Sequence, residues 1–377
     1  CWGYNAYGQT GDGTATDHAA LLPVPGISNA VEITAGFNHT CARLSDNTIR
    51  CWGYNGYGQL GNGSVSTSYT PVVVTGISTA SQLTAGDIHT CARLSDSTLR
   101  CWGYNGNGAL GDGTTTQRTT PVVVAGVTTA SQVSAFYRTT CATLSDSTLR
   151  CWGDNGNAQV GDGTVVDRTT ATAVVGLPSL LTCSATAGTP TAETCNGIDD
   201  NCDGLIDNVD PSTCSSCSPP GTTCTVGVGA CARTGTMVCG ATGARQTTNG
   251  YQHSCARMRD GTVRCWGYNG YGELGNGTTT NSIVPVTVTG LSAAAEITGG
   301  YYHTCARFAG GTVQCWGYNA HGELGNGSTA NSSTPVAVSG ISNLTQIGTG
   351  IYHNCGVRND GTVWCWGYNG YGQLGDL

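Results

Sequence analysis

The sequence predicts an all-β fold built from repeats, and three observations support this fold class. The motif CWGYNGYGQLG, or a close variant, begins at residues 1, 51, 101, 151, 265, 315 and 365, with a period of 50 residues except for one step of 114. Glycine accounts for 58 of the 377 residues, about twice its usual share. No segment has a sustained 3.6-residue hydrophobic period, so we expect short strands and turns rather than helices.

Each repeat predicts four short strands. In the second repeat, the β-branched or alternating segments are PVVV (71–74), SQLTAG (81–86), HTCARL (89–94) and TLRCWG (98–103). A repeat of this length with four strands is typical of a β-propeller blade. Six full periods, followed by 13 residues that repeat the start, fit either six blades or seven with one incomplete.

The last two strands of each repeat form a hairpin that predicts a cross-strand disulfide. In CARMRDGTVRC, the three-residue loop 259–261 suits a type I turn followed by a left-handed residue. Pairing outward from this loop sets Cys255 opposite Cys265 at a non-hydrogen-bonded position, where Cα atoms lie roughly 4.5 Å apart, within disulfide reach. The same spacing predicts six disulfides inside blades: Cys41–Cys51, Cys91–Cys101, Cys141–Cys151, Cys255–Cys265, Cys305–Cys315 and Cys355–Cys365.

The cysteine content also indicates the compartment. Regular pairs among 21 cysteines are typical of an extracellular or cell-surface protein, whereas the alternative, metal-binding cysteines in a reduced protein, lacks further ligands nearby. Cys1 stands where every other copy has a partner ten residues upstream, so we expect that partner in preceding sequence. The repeats could then belong to a longer array or filament.

Charge and hydropathy exclude two kinds of partner. The formal net charge is −8, every basic side chain is an arginine, and the arginines form no run along the sequence. Such a chain has no electrostatic footprint for nucleic acid or an anionic membrane. No apolar run reaches the roughly 18–20 residues that cross a bilayer, so we expect no membrane span.

The core WGYNGYGQLGNG, with GxxHTCARLxDxTxRCWG upstream of it, resembles the repeats of the regulator-of-chromosome-condensation family. The resemblance covers nearly all of the chain outside roughly 180–247 and implies a propeller, most often of seven blades. The version with paired cysteines is similar to secreted bacterial members. Because this chain has no basic tail or face, the chromatin-binding and nucleotide-exchange roles of the nuclear member are not expected.

Several residue types recur once per repeat. The histidines at 39, 89, 253, 303 and 353 could converge on a shared metal, but Thr139 breaks the series, so we expect hydrogen bonds within each blade. The tryptophans are expected in the blade cores, with an exposed carbohydrate platform as the alternative. Tyrosines of the YNGYG loops are candidate binding residues, and packing against the next blade is their other role: Tyr54, Tyr57, Tyr268 and Tyr271.

No catalytic constellation is evident, because the serines lack a GxSxG context and the histidines have no fixed acidic partner. We therefore expect a non-enzymatic scaffold for a protein or glycan partner or for surface assembly. Two alternatives stay open: an inhibitor of an extracellular hydrolase, as implied by a bacterial β-lactamase-inhibiting protein with a similar propeller, and an extracellular enzyme acting on polysaccharide.

The extra residues in the long step predict a calcium-stabilised module over 180–247, between propeller segments 1–179 and 248–377. The stretch D-x-N-x-D-G-x-I-D-x-x-D has the oxygen-ligand spacing of a calcium loop, with Gly204 at its sharp turn. The expected ligands are Asp199, Asn201, Asp203, the carbonyl of Leu205, Asp207 and Asp210. Eight cysteines of this segment could form four further disulfides.

The same stretch, ETCNGIDDNCDGLIDN, also resembles the cysteine-rich motif of MopE-type bacterial surface proteins, some of which are linked to copper. Methionine- or histidine-rich ligands, which copper favours, are missing from the stretch, so calcium is the preferred ion.

We predict that calcium binds this module in solution. Calorimetric titration of the protein with Ca²⁺ should give saturable heat, and Asp203→Ala should abolish it because one carboxylate ligand is lost. Asp46→Ala, which removes a hairpin-turn carboxylate elsewhere in the chain, is the control. Absence of heat in the unmodified protein would contradict the prediction.

Overall fold

The computed structural model describes residues 1–177 and 243–376, together with two short strands between them. The chain divides into two compact units, residues 1–177 with 244–377, and residues 178–243. Of the second unit, β13 (Cys224–Thr225) and β14 (Thr236–Met237) are described, and they pair antiparallel. The first unit begins again at 244 rather than at the expected 248, because residues 244–249 form a propeller strand.

The first unit is an all-β propeller, as expected from the sequence, and it has six blades, one of the two numbers that the sequence left open. Five blades are four-stranded antiparallel sheets and the sixth has three strands. The strands are β1 Ala30–Ala35, β2 His39–Leu44, β3 Ile49–Gly53 and β4 Ser68–Val73 in blade 1; β5 Ala80–Ala85, β6 His89–Leu94, β7 Leu99–Gly103 and β8 Arg118–Val123 in blade 2; β9 Ala130–Phe136, β10 Thr139–Leu144, β11 Leu149–Gly153 and β12 Arg168–Ala173 in blade 3; β15 Ala244–Asn249, β16 His253–Met258, β17 Val263–Gly267 and β18 Ser282–Thr287 in blade 4; β19 Ala294–Gly299, β20 His303–Phe308, β21 Val313–Gly317 and β22 Ser332–Ala337 in blade 5; β23 Leu344–Thr349, β24 His353–Arg358 and β25 Val363–Gly367 in blade 6.

The first residues of the chain lie against the sixth blade. Gly3 and His18 form an antiparallel bridge, and the indole of Trp2 donates to the carbonyl of Gln373 at 3.1 Å. Trp52 makes the equivalent contact with Gln9 at 2.9 Å, so the amino-terminal segment continues the ring of contacts from the sixth blade to the first.

The grouping of strands into blades differs from the expectation. The segment PVVV was expected to open a blade, but Val72 pairs with Cys51, so this strand closes the preceding blade. The reason is the compact WGYNGYGQLG loop, which returns the chain beside its own hairpin. In chain order, the 178–243 segment therefore follows the last strand of blade 3, β12, and precedes the first strand of blade 4, β15, so it does not interrupt a blade as expected.

The predicted hairpins and disulfides are confirmed. Met258 donates its amide hydrogen to the carbonyl of Thr262 at 2.8 Å, and Gly261 has the left-handed φ of 79° that the loop requires. Serine takes the same conformation in blade 2, where Ser97 has a φ of 65°. All six predicted pairs are disulfides with Cα–Cα distances of 4.0–4.1 Å.

Tryptophan side chains are buried between blades, whereas they were expected in the core of each blade. Trp102 of blade 2 is fully buried against Leu60, Leu83 and the Cys41–Cys51 disulfide. Its indole Nε1 donates to the carbonyl of Gln59 at 2.9 Å, so one side chain both fills the interface and fixes its position. The five fully buried tryptophans are Trp52, Trp102, Trp152, Trp266 and Trp316.

The expectation that each histidine bonds within its own blade is wrong. His39 Nε2 lies 2.9 Å from Thr90 Oγ1 of the next blade, and that hydroxyl donates to the carbonyl of Gln59 at 3.0 Å. His303 bonds to the side-chain oxygen of Asn354 in the same way, at 2.8 Å. Since that oxygen only accepts, Nε2 carries the proton. Burial lowers the pKa of His303 to about 4, so the ring is neutral at pH 7. His39, His89, His253 and His303 are thus each engaged by a side chain of the next blade. No helix in the part of the chain that the structure describes is long and apolar enough to cross a membrane.

We predict that the disulfides contribute directly to stability. The double variant Cys91→Ser/Cys101→Ser should lose about 2–3 kcal/mol in urea unfolding because a short loop is no longer closed in the unfolded chain. Thr98→Ala in the same hairpin is the control for loss of a turn contact. If the midpoint of the double variant equals that of the unmodified protein, the disulfide is not a source of stability.

We also predict acid lability from the buried histidines. Burial lowers the pKa of His39 to about 3 and that of His89 to about 4, against 6.5 for an exposed ring. The unfolded chain binds these protons below pH 6.5 and the folded chain does not, so stability falls as the pH decreases from 6.5 toward 4.

His39→Thr introduces the residue type that blade 3 carries at Thr139. Below pH 6.5, it should reduce the slope of the free energy of unfolding against pH by about 1.4 kcal/mol per pH unit, as measured by urea unfolding. Thr90→Val, which keeps the ring but removes its partner, should lower stability at pH 7 and retain the slope. An unchanged slope in His39→Thr would contradict the assignment.

Candidate functional site

One end of every blade carries both the loop between its first two strands and the loop after its third strand. The register that sets His39 opposite Gly53 brings these loops together, and Tyr54 donates its amide hydrogen to the carbonyl of Asn38 at 2.8 Å. We call this surface the tyrosine face. It holds the residues of the 36–38 and 54–61 loops and their equivalents in the other blades.

A buried asparagine shapes each outer loop. The amide of Asn55 donates to the carbonyls of Ser64 and Ser66, each at 3.0 Å, and its oxygen accepts from the amide of Leu60 at 3.0 Å. Gly58 has a φ of 80°, and a Cβ there would collide with the backbone of Thr119 in the next blade. The loop is therefore rigid, and its tyrosines are carried in fixed positions.

The inner loops are joined to each other around the ring. The innermost strands of adjacent blades are held together, for example by Gln82, which both donates to and accepts from the backbone of Val133 at 3.0 Å. Beyond them, the amide of Asp87 donates to the carbonyl of Tyr137 at 2.8 Å, and that of Tyr251 to the carbonyl of Tyr301 at 3.1 Å. These bonds fix the inner loops at the centre of the face.

Fifteen of the sixteen tyrosines lie in aromatic contacts on this face, with ring centroids 4.0–6.4 Å apart. The outer loops supply one group, and the inner loops supply another that includes a stacked pair, Tyr251 and Tyr301, at 4.0 Å. Tyr271 and Tyr302 join the two groups at 5.2 Å. The outer group is Tyr4, Tyr7, Tyr54, Tyr57, Tyr104, Tyr268, Tyr271, Tyr318, Tyr368 and Tyr371, and the inner group is Tyr137, Tyr251, Tyr301, Tyr302 and Tyr352.

Few charges interrupt the aromatic surface. The guanidinium of Arg138 lies 4.9 Å from the ring centroids of both Tyr104 and Tyr137, in cation–π geometry. Burial raises the pKa of Asp87 to about 6, against the opposing effect of Arg138. Burial and neighbouring rings raise the pKa of Tyr302 to about 12, so this phenol stays a neutral hydrogen-bonding group at physiological pH.

Two buried glutamates lie beneath the face where other repeats have glutamine. The carboxylate of Glu273 accepts from the amide of Tyr271 at 2.9 Å, as Gln59 does from Tyr57 at 3.0 Å. The second oxygen of Glu273 is buried without a partner among the described residues, and burial raises its pKa to about 7. Burial also raises the pKa of Glu323.

The predicted site residues fall into two sets. Tyr54, Tyr57, Tyr268 and Tyr271 are half-buried on the tyrosine face, where Tyr57 contacts Tyr104 of the next blade at 5.3 Å. They combine packing with exposure, and their role in binding stays a prediction. The predicted calcium loop from Asp199 to Asp210 lies outside the described residues. Within the described ranges, no cluster of three or more histidine, cysteine, aspartate or glutamate side chains is placed to hold a metal.

Sequence reasoning missed the inner group of tyrosines. Its signal is the pair of residues just before each histidine, or before Thr139 in blade 3. This pair varies among repeats that are otherwise alike: FN, DI, YR, YQ, YY and IY at 37–38, 87–88, 137–138, 251–252, 301–302 and 351–352. Positions that a repeat leaves free to vary are those that its packing does not determine. They are also where the face differs from blade to blade.

The face presents aromatic rings with phenol groups on loops that hydrogen bonds hold in place. The described part of the chain is therefore a propeller with a preformed aromatic surface.

The chain belongs to the family of regulator of chromosome condensation (RCC1) repeats. Two models of this repeat match it, one at residues 30–59, 80–109, 294–323 and 344–373 and the other at 47–93, 260–307 and 310–357. Together the matches span 30–109 and 260–373, just over half of the chain. The resemblance to this family inferred from the sequence is confirmed. A search of curated proteins finds no match.

Solved structures of similar fold include human WBSCR16, with a TM-score of 0.69 and 18% identity over 95% of this chain and 81% of that one. Yeast RCC1 (Prp20), in its structure bound to Kap60, has a TM-score of 0.69 and 16% identity over 100% of this chain and 79% of that one. A second structure, of Prp20p from Saccharomyces cerevisiae, has a TM-score of 0.60 and 18% identity over 85% and 67%. At these identities the likeness concerns the fold.

We predict that Glu273→Gln stabilises the protein at alkaline pH. The unfolded chain ionises this carboxyl near pH 4.5 and the folded chain only near pH 7, so its contribution to stability is present below pH 4.5 and is lost as the pH rises to 7. The glutamine variant should therefore gain on the order of 1–3 kcal/mol in urea unfolding at pH 8 and almost nothing at pH 4. Gln159→Glu, the reverse change in blade 3, should introduce the same pH dependence, and equal curves for all three proteins would contradict the argument.

Proposed function

We propose that this protein is a non-catalytic, extracellular or cell-surface propeller scaffold whose tyrosine face binds a protein partner. The observation that carries the proposal is the confinement of fifteen of sixteen tyrosines to one face. Six disulfides within the blades support a location outside the reducing cytosol.

Tyrosine on a rigid frame is well suited to recognising proteins. It offers a large contact area with only two rotatable side-chain bonds, so little entropy is lost on binding, and its hydroxyl supplies hydrogen bonds. Tyr4 is 41%, Tyr7 39% and Tyr371 54% exposed, and their ring-to-ring contacts hold them in place before a partner arrives. Preorganisation of this kind lowers the cost of association.

The related folds support protein partners as a class. Yeast Prp20 has a structure in complex with Kap60 and is described with binding to Gsp1p and histones. The present chain carries a net charge of −8, so histone-like basic proteins are compatible with its charge, but its identity of 16–18% to Prp20 transfers no particular partner.

In the proposed function, the 178–243 unit is a calcium-stabilised module that the scaffold carries. Its sequence is too short and too rich in serine, threonine, glycine and proline for a large core, so an ion and disulfides are the means by which it would be held.

The proposal is tested with three immobilised proteins and the extracellular protein fraction of the source cells. The unmodified propeller and Tyr69→Ser, which changes the one tyrosine outside the aromatic contacts, should retain the same protein. The triple variant Tyr57→Ser/Tyr271→Ser/Tyr371→Ser should retain at least about tenfold less of it, because aromatic side chains dominate interface energetics.

The retained protein is then purified and titrated calorimetrically against each of the three propellers, after circular dichroism has shown that they are folded. Equal affinity for the triple variant and the unmodified protein would overturn the proposal. Robust turnover of a polysaccharide by the purified propeller would replace it with the enzymatic alternative.

A further inference from the structure

Blade 4 differs from the other blades at two positions on the face opposite the tyrosine face. The second residue of its first strand is Arg245, and the first residue of its hairpin turn is Arg259. In the other five blades these positions hold small or uncharged residues: Val31, Ser81, Ser131, Ala295 and Thr345 at the first, and Ser45, Ser95, Ser145, Ala309 and Asn359 at the second. Both arginines therefore are additions to the repeat rather than parts of its packing.

A third arginine at the same place has no acidic partner on its own blade. In blades 1 and 5 the arginine near the end of the second strand is paired with a glutamate, as Arg307 is with Glu296 at 2.8 Å. In blade 4 the equivalent arginine, Arg257, faces the neutral side chain of Gln246 at 3.3 Å. Blade 4 thus adds two cations beside an arginine whose own partner is neutral, as Gln82 is opposite Arg93 in blade 2.

The three arginines line one surface pocket. Its walls are Arg245, Arg257 and Arg259 from blade 4 with the small residues Ala293–Ala295 of blade 5, and Asp260 and Gly261 complete it. Arg245 and Arg259 are exposed and Arg257 is half-buried. Burial lowers the pKa of Arg257, the charge of Arg245 lowers it further, and the carboxylate of Glu296 in blade 5 acts in the opposite direction.

The hydrogen bonds within the pocket leave its donors available. Arg259 is held through Nε by the hydroxyl of Ser147 at 2.8 Å, and Arg257 through Nε by Gln246. Neither terminal guanidinium group of these two donates to another described residue, and Arg245 donates to none in the described part of the chain. Asp260, the carboxylate in the lining, accepts with one oxygen from the amide and hydroxyl of Thr262 at 2.9 and 2.6 Å, as the turn requires.

We propose that this pocket is an oxyanion-binding site, which takes a carboxylate, sulfate or phosphate group of a ligand between the guanidinium groups of Arg245, Arg257 and Arg259. Guanidinium groups present paired, planar donors that match two oxygens of such a group at once. In a chain of net charge −8, three convergent cations also create a local field that attracts an anion against the overall charge. The site is independent of the tyrosine face.

The test is NMR of the arginine side-chain Nε–Hε groups. Each arginine gives one such signal, so the 15 arginines of the chain give a simple spectrum. The folded protein is titrated separately with sodium sulfate, sodium phosphate and sodium acetate at constant ionic strength. Saturable shifts of Arg245, Arg257 and Arg259 with at least one of these anions are expected, and the anion with the strongest effect identifies the ligand chemistry.

Matched variants distinguish specific binding in this pocket from a general attraction of anions to positive charge. Arg245→Ser/Arg259→Ser introduces the residue types of blade 3, and it should raise the dissociation constant for the anion about tenfold or more. Gln246→Glu introduces the acid that blades 1 and 5 have at this position. It should also raise the dissociation constant, because the glutamate competes with the anion for Arg257. Arg264→Gln removes one positive charge from the same blade and introduces the residue type of Gln314, and it should change the constant less than twofold, that is, by under about 0.4 kcal/mol.

The proposal is overturned if none of the three anions produces saturable shifts in the unmodified protein. It is also overturned if Arg264→Gln weakens binding as much as the double variant, since the effect would then follow net charge alone. Urea unfolding of each variant verifies that the compared proteins are folded.

Discussion

One backbone carbonyl per repeat carries the connection between successive blades. The carbonyl of Gln59 accepts from the hydroxyl of Thr90 and from the indole of Trp102, both in the next blade. The equivalent carbonyl recurs at Gln9, Ala109, Gln159, Glu273 and Glu323. Because a main-chain oxygen is the acceptor, the side chain at this position is free to be glutamine, alanine or glutamate, while the donors on the next blade stay nearly fixed. The same carbonyl ends the rigid outer loop, so blade packing and the position of the tyrosines depend on one contact.

This contact also explains how the chain accommodates 64 additional residues without disturbing the propeller. The carbonyl of Gln159 meets Trp266 at 2.9 Å, the distance found between Gln59 and Trp102, although 107 residues separate the first pair and 43 the second. The innermost strands behave likewise, since Gln132 bonds to the backbone of Thr247 as Gln82 does to that of Val133. A rigid ring whose interfaces are local can carry a separate unit between two blades, where the connection already runs from an outer to an inner strand.

The sequence was sufficient for the parts of the fold that depend on local geometry. The spacing of Cys255 and Cys265 and the three-residue turn between them determined the hairpin register, and hence the disulfide, without knowledge of the rest. The strand from Ser68 to Val73 was assigned to the wrong blade because its partner is chosen by the course of a 14-residue connection, which periodicity alone does not reveal. The partner of His39 was missed for a related reason: contacts between repeats have the same period as contacts within them.

The candidate sites show the same division between what a repeat conserves and what it varies. Tyr54 and Tyr57 were visible in the sequence because their motif recurs, whereas Tyr301 and Tyr302 occupy the position where the repeats differ and so gave no periodic signal. The arginines of blade 4 are also departures from the repeat, since Arg245 and Arg259 stand where the other copies have small or uncharged residues. In a propeller, the shared residues are engaged in holding one blade to the next. A property that belongs to one blade must therefore come from residues that the copies do not share, as the arginines of blade 4 do. The tyrosine face combines recurring tyrosines of the outer loops with inner-loop tyrosines that the copies do not share.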